Sequence, residues 1–218
     1  MFLRKIQNYI KIENKVVHLQ SSIENYPSSE YLENLLKQKY SIDFIKLNTE
    51  NTDSINEWIS VINNAYDDAN YDYQKGKQQL TDHLFLTNTE TFLFFYNKIA
   101  IATISIGIYK ENKNIGGTFR IAVRKQFQNK GIARNIVILA YAKLKERGIK
   151  YSEVIISSKR TESLMLHFKL GFIPQYNMKY IAYKNAIKSV NFLQKYKLYK
   201  KLHRLHKEYT RNFNSYFI

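Results

Sequence analysis

Seven consecutive residues, Gln128-Asn129-Lys130-Gly131-Ile132-Ala133-Arg134, carry the most specific chemistry in this 218-residue chain. They stand between a short apolar run, Phe119 to Val123, and a segment that places Ile132, Ile136, Leu139, Ala140 and Leu144 at helical spacing. The order reads as strand, tight turn and helix. The first turn of such a helix offers N–H groups with no carbonyl partner, and Gly131 lacks the Cβ that would hold an anion away from them. Either the glycine only makes the corner, or the turn cradles a phosphate.

Four further sets of residues can do chemistry. Tyr66 to Tyr73 packs Asp67, Asp68 and Asp72 among three tyrosines, either a solvated acidic loop or a binding surface. His167 carries an imidazole that titrates near neutrality. Glu153 interrupts an apolar strand, where an unpaired charge would be costly. Arg120 lies in the alternation Phe119, Ile121, Val123 and so is expected to share a face with Thr118 and Ala122. With Arg160 it either binds an anion or forms an internal ion pair with Glu153 or Glu162. The chain has no cysteine, which removes a thiol nucleophile and a thiolate metal site, and its five histidines are scattered, so no metal is expected.

These groups must be positioned by an α/β domain. Phe44 to Leu47 reads as a strand, and Thr52-Asp53 as the cap of a helix with Ile55, Trp58, Ile59, Ile62 and Tyr66 on one stripe. Gln78 to Leu86 completes a second helix. Phe92 to Tyr96 and Ile99 to Tyr109 flank Asn97-Lys98 as a hairpin, and Thr118 to Val123 is the next strand. Tyr151 to Ser158 is expected to be a strand, Thr161 to Leu170 a helix, and Phe172 to Lys184 two short strands. Residues 1–40 form an N-terminal extension, with a helix from Pro27-Ser28-Ser29 to about Lys39 packed on the domain or on a second subunit.

The net charge of +16 points to anionic partners. Residues 185–218 hold eight Lys or Arg against Glu208 alone, and Leu198, Leu202, Leu205 and Tyr209 give them an apolar stripe. This basic amphipathic tail docks on the domain or a partner subunit, or else contacts an anionic membrane or nucleic acid. With 44% hydrophobic residues a core is affordable. No signal sequence or membrane-length apolar run is present, and a cytoplasmic location is the default expectation.

Gln128-x-x-Gly131-x-Ala133 resembles the Q/R-x-x-G-x-G/A signature of the GNAT superfamily of acyl-CoA-dependent N-acyltransferases. Ile121-Ala122-Val123 looks like that family's strand that pairs with pantetheine, and Leu166 to Phe172 is similar to its L-Y-x-x-x-G-F ending. The resemblance runs from about Asp43 to Lys184. It implies a mixed, mostly antiparallel sheet of six or seven strands flanked by helices, in a domain over residues 41–184. It also implies direct transfer of an acetyl group from acetyl-CoA to an amine in a ternary complex. Acetyl-CoA would then be held by Ile121, Ala122, Val123, the turn from Gln128 through Asn129, Lys130, Gly131, Ile132 and Ala133 to Arg134, and Arg160.

By the same resemblance a backbone N–H between Thr118 and Val123 polarises the thioester, and Asp67, Asp68 or Asp72 holds the incoming ammonium. His167 stands where the family has an acid tyrosine, and Thr118 where many members carry a glutamate base. A water chain, Glu153 or a loop aspartate is left as the base, with Glu153 ranked first. Arg120 would suit an acceptor bearing a phosphate or carboxylate. A small-molecule primary amine is the expected acceptor. The alternatives are an aminoacyl-tRNA or protein amine recruited by the basic tail, with RNA or an anionic membrane as partner, or a non-catalytic acyl-CoA-binding module; a homodimer is also compatible.

Overall fold

The computed structural model describes residues 16–83, 86–157, 160–174, 181–182 and 186–187; the basic tail beyond them lies outside the described residues. Among the described residues no helix is long and apolar enough to cross a membrane. The chain divides into two compact units, residues 22–152 and a second made of residues 1–21 and 153–218.

The larger unit is built on four antiparallel strands in the order β2 (Ile42–Lys46), β3 (Leu86–Tyr96), β4 (Ile99–Tyr109) and β5 (Ile115–Val123). The β3–β4 hairpin closes on Asn97 and Lys98, both at positive φ (48° and 64°), as a two-residue turn twisted to match its strands requires. Each glycine-free αL position costs about 1 kcal/mol, which the long hairpin ladder offsets. Strand β3 begins six residues earlier than its apolar run, because Leu86 and Thr87 pair with Tyr109 and Ile108. The helix expected over Gln78 to Leu86 is accordingly displaced to Tyr73–Thr81.

Four helices cover this sheet: α1 (Ser29–Tyr40), α2 (Thr52–Ala65), α3 (Tyr73–Thr81) and α4 (Ile132–Glu146). Side chains start three of them: Ser28 accepts from the Tyr31 N–H, Asn51 from Ser54 and Asp72 from Lys75. The cap of α2 is therefore Asn51, not Thr52. Its stripe buries Ile55, Trp58, Ile59 and Ile62 with Leu80 of α3, Leu93 and Ala122. Gly76 lets α3 come this close: a Cβ there would meet Ile59 at 2.5 Å. Helix α1 packs on α4, with Glu146 accepting from the Ser29 N–H at 2.9 Å and Lys143 bridging Glu33 at 2.6 Å. Helix α1 thus lies against the domain.

In the smaller unit, β6 (Tyr151–Ser157, whose first two residues belong to the larger unit), β1 (Val16–Ser22) and β7 (Ile173–Pro174) are neighbours in that order, with β1 and β7 antiparallel. Helix α5 (Thr161–Lys169) joins β6 to β7, and β8 (Ile181–Ala182) pairs with β9 (Ala186–Ile187). The whole is the mixed α/β, mostly antiparallel architecture expected.

Candidate functional site

Strand β5 departs from regular pleating halfway along. Ser105 faces Phe119 and Thr103 faces Ala122, so two steps on β4 match three on β5, and the extra residue is a bulge. Arg120 sits there at φ 53°, a left-handed conformation unusual for a side-chain-bearing residue inside a strand. The bulge overturns the expected alternation. Thr118 turns toward α4, its hydroxyl 3.2 Å from the buried Tyr141 hydroxyl, whereas Ala122 joins the α2 core on the opposite face. Arg120 parts from Thr118: its guanidinium lies over the Phe119 ring and donates to the Asp82 carbonyl at the end of α3, 2.9 Å away.

Peptide geometry assigns the polar groups past the bulge. Arg124 donates its N–H to Ile101 of β4 at 2.8 Å, so the Val123 carbonyl, trans across the same peptide, points away from β4. Ladder alternation gives Ala122 the next bonded pairing, with Thr103, which sends the Ile121 carbonyl to that far edge as well. Side chains meet both carbonyls. The Tyr66 hydroxyl donates to Ile121, and Gln128 Nε2 donates to Val123 at 2.8 Å.

The chain then makes one turn of 3-10 helix, Lys125–Phe127, stitched to one face of α2. Arg124 donates to Ser60 at 2.7 Å, the Lys125 N–H donates to Asn64 Oδ1 at 2.9 Å, and Lys125 Nζ pairs with Asp67. Next come Asn129 (φ 60°) and Gly131 (φ 78°), both left-handed, and α4 starts on Gly131 with no side-chain cap. Gln128 to Gly131 are exposed, and a Cβ on Gly131 would meet nothing within 4 Å. Lys130 lies 5.4 Å from the Phe127 ring, and Arg134 is near enough to Tyr26 to act on its hydroxyl, whose pKa burial drives well up. The turn thus combines uncapped amides, an open approach and cations, which suits a pyrophosphate.

Asp72 is the cap of α3 and is ion-paired to Lys75 at 3.3 Å; its carboxyl is held below the usual range chiefly by the Lys75 N–H. Asp67 is bound to Lys125, and Asp68 is exposed. Glu153 lies half-buried on β6 and Arg160 precedes α5. His167, on α5, is fully buried: Nδ1 is 2.7 Å from the Ser163 carbonyl, its ring meets Phe172 edge-on, and burial lowers its pKa to about 4. A neutral ring so placed donates from Nδ1 to that carbonyl. An acid role would require Nε2 to take up a proton, which burial disfavours.

Two grooves open elsewhere in the larger unit, and neither includes the turn. One of about 550 Å³ is lined by Lys46, Thr81, His83, Thr89 and Glu90 among others, and one of about 680 Å³ runs beside Ile45, Phe95 and Lys98. Among the described residues no group of three or more His, Asp or Glu is arranged to hold a metal. Sequence reasoning missed Tyr66 and the Asp67–Lys125 tie. Tyr66 lay on an apolar stripe that marks it as core, and nothing local announces a partner 58 residues away.

Searching curated proteins finds no match. Among solved structures, a GCN5-related N-acetyltransferase from Sphaerobacter thermophilus is similar over 80% of this chain and 53% of its own, at 14% identity and TM-score 0.54. A functionally unknown conserved protein from Staphylococcus epidermidis matches over 79% and 62% at 16% identity and TM-score 0.53. The glucosamine N-acetyltransferase region of a fungal multi-domain β-N-acetylglucosaminidase matches over 80% and 22% at 17% identity and TM-score 0.53. The chain spans less than two thirds of the length of each, and at these identities the likeness is one of fold. The model of the acetyltransferase (GNAT) family matches residues 32–172, well over half the sequence, from within α1 to the end of the L-H-x-x-x-G-F motif: the chain belongs to the GNAT family.

Proposed function

We propose that the protein is an N-acetyltransferase that moves an acetyl group from acetyl-CoA directly to the primary amine of a small molecule. The observation that carries this reading is the uncapped, exposed start of α4 at Gly131, continuous with the far edge of β5. The pyrophosphate of CoA would meet the amides from Asn129 to Ala133, with Lys130 and Arg134 beside it, and the pantetheine arm would run along Ile121, Ala122 and Val123. In the transfer the amine nitrogen attacks the thioester carbon, the C–S bond breaks, and the proton lost by nitrogen balances the departing thiolate. The enzyme's part is positioning and polarisation, without a covalent intermediate.

For the acceptor, the exposed carboxylates of the 66–73 loop, Asp67, Asp68 and Asp72, would hold the incoming ammonium. Isothermal titration with CoA tests the cofactor half, and no heat at millimolar ligand removes it. Thiol release over a panel of amines tests the rest. A second reading, an aminoacyl-tRNA or protein amine as acceptor, is favoured by the eight cations of residues 185–218. It requires RNA affinity that falls steeply with salt and drops when that tail is deleted.

A further inference from the structure

The bulge at Arg120 is an outlier that needs a cause. A non-glycine residue held at φ 53° is strained and persists only where its surroundings over-determine it. Two contacts do so. On the α3 side the Arg120 guanidinium is fixed by the Asp82 carbonyl and the Phe119 ring. On the other side the Tyr66 hydroxyl, from the first residue after α2, donates to the carbonyl of Ile121.

That second contact falls at an informative place. The Ile121 and Val123 carbonyls are directed away from β4, and a stretch of strand presents donors and acceptors in equal number along such an edge. Here Tyr66 occupies the first carbonyl and Gln128 the second. With these two acceptors covered, what the stretch from Ile121 to Val123 has left for a ligand is N–H. An arriving chain of amides would find half of its partners there taken, whereas a carbonyl oxygen that gathers negative charge would find donors only. A hydroxyl donated to a peptide oxygen also polarises that peptide, strengthening hydrogen bonds around it.

From this arrangement, and resting on the transfer reaction above, we propose that Tyr66 is a positioning residue for acyl transfer. By holding the Ile121 carbonyl it fixes the peptide just past the bulge so that the edge amides address the thioester oxygen. Tyr66 acts through the backbone, and its position at the head of the 66–73 loop makes the reacting strand sensitive to that loop.

The test compares wild type with Tyr66→Phe, a half-buried side chain losing one oxygen, using acetyl-CoA labelled with ¹³C at the thioester carbonyl. The carbonyl stretch of the bound thioester, read by isotope-edited infrared difference, should move to lower frequency in wild type and return toward its free value in the variant. Affinity for acetyl-CoA should change no more than about threefold, while turnover with any amine that releases thiol should fall roughly tenfold or more through kcat. Tyr66→Trp, which keeps an aromatic body but displaces the donor, should resemble Phe. An equal infrared shift in wild type and Tyr66→Phe overturns the inference while leaving the cofactor reading intact. Absence of acetyl-CoA binding in wild type overturns the cofactor reading itself. A fall in melting temperature with an unchanged infrared shift assigns Tyr66 to stability alone and also overturns it.

Discussion

The turn from Gln128 to Arg134 and the imidazole of His167 lie at opposite limits of solvent access, though both carry polar groups suited to catalysis. At the turn, two left-handed residues expose the start of a helix that has no side-chain cap. At His167 the ring is fully buried, with Nδ1 committed to a carbonyl one helical turn back. The difference teaches that chemical capacity and availability are separate properties. An amide without a partner at the surface is held in reserve for a ligand, whereas a buried imidazole spends its hydrogen bonds on the fold and couples its protonation to stability.

The largest way to break this contrast is with acid. A histidine whose folded pKa is lowered to about 4 binds its proton more readily unfolded, near 6.5, so its stability is fully present above pH 6.5 and is lost as pH falls toward 4. Over that window the loss attributable to His167 should be about 3 kcal/mol. Urea unfolding of wild type against His167→Gln, at pH 7 and pH 4.5, measures it. A bell-shaped activity profile with a limb near 6.5 that vanishes in the variant would instead make the imidazole a participant.

Gly131→Glu comes next. A carboxylate placed in the proposed phosphate cradle should weaken CoA binding on the order of a hundredfold by like-charge contact. The open space around Gly131 lets the chain still fold, with a melting temperature lower by a few degrees for the left-handed strain. Gln128→Leu removes the bond to the Val123 carbonyl and should cost about tenfold in CoA affinity by loosening the strand-to-turn junction. Calorimetry reads both. The smallest effect concerns a helix start that is capped: Asn51→Ala should destabilise by about 1 kcal/mol in urea unfolding and leave CoA binding unchanged. A change in CoA affinity there would erase the distinction between closed and reserved helix ends.

Much of this was legible in the residues. The Gly131 corner, the Asn97-Lys98 hairpin and the Trp58 stripe follow from turn chemistry and periodicity, which are local properties. Residue Arg120 was not legible, because a bulge inserts a residue without altering the alternating pattern, and every side chain before it is then assigned to the wrong face. The start of strand β3 is hidden in the sequence because Thr87-Asn88-Thr89-Glu90 is polar, although pairing with β4 resumes at Glu90 and Ile106. The duties of Asp67 and Asp72 depend on where Lys125 and a helix start arrive in space. Composition alone shows only an acidic loop.

The 3-10 turn fastened to Ser60, Asn64 and Asp67 has a thermodynamic consequence. Because the segment that introduces the amides proposed to face CoA is anchored to the same helix end that launches the 66–73 loop, a molecule that shifts one must do work on the other. Reciprocity then requires that whatever factor the first occupant adds to the second's affinity, the second returns to the first.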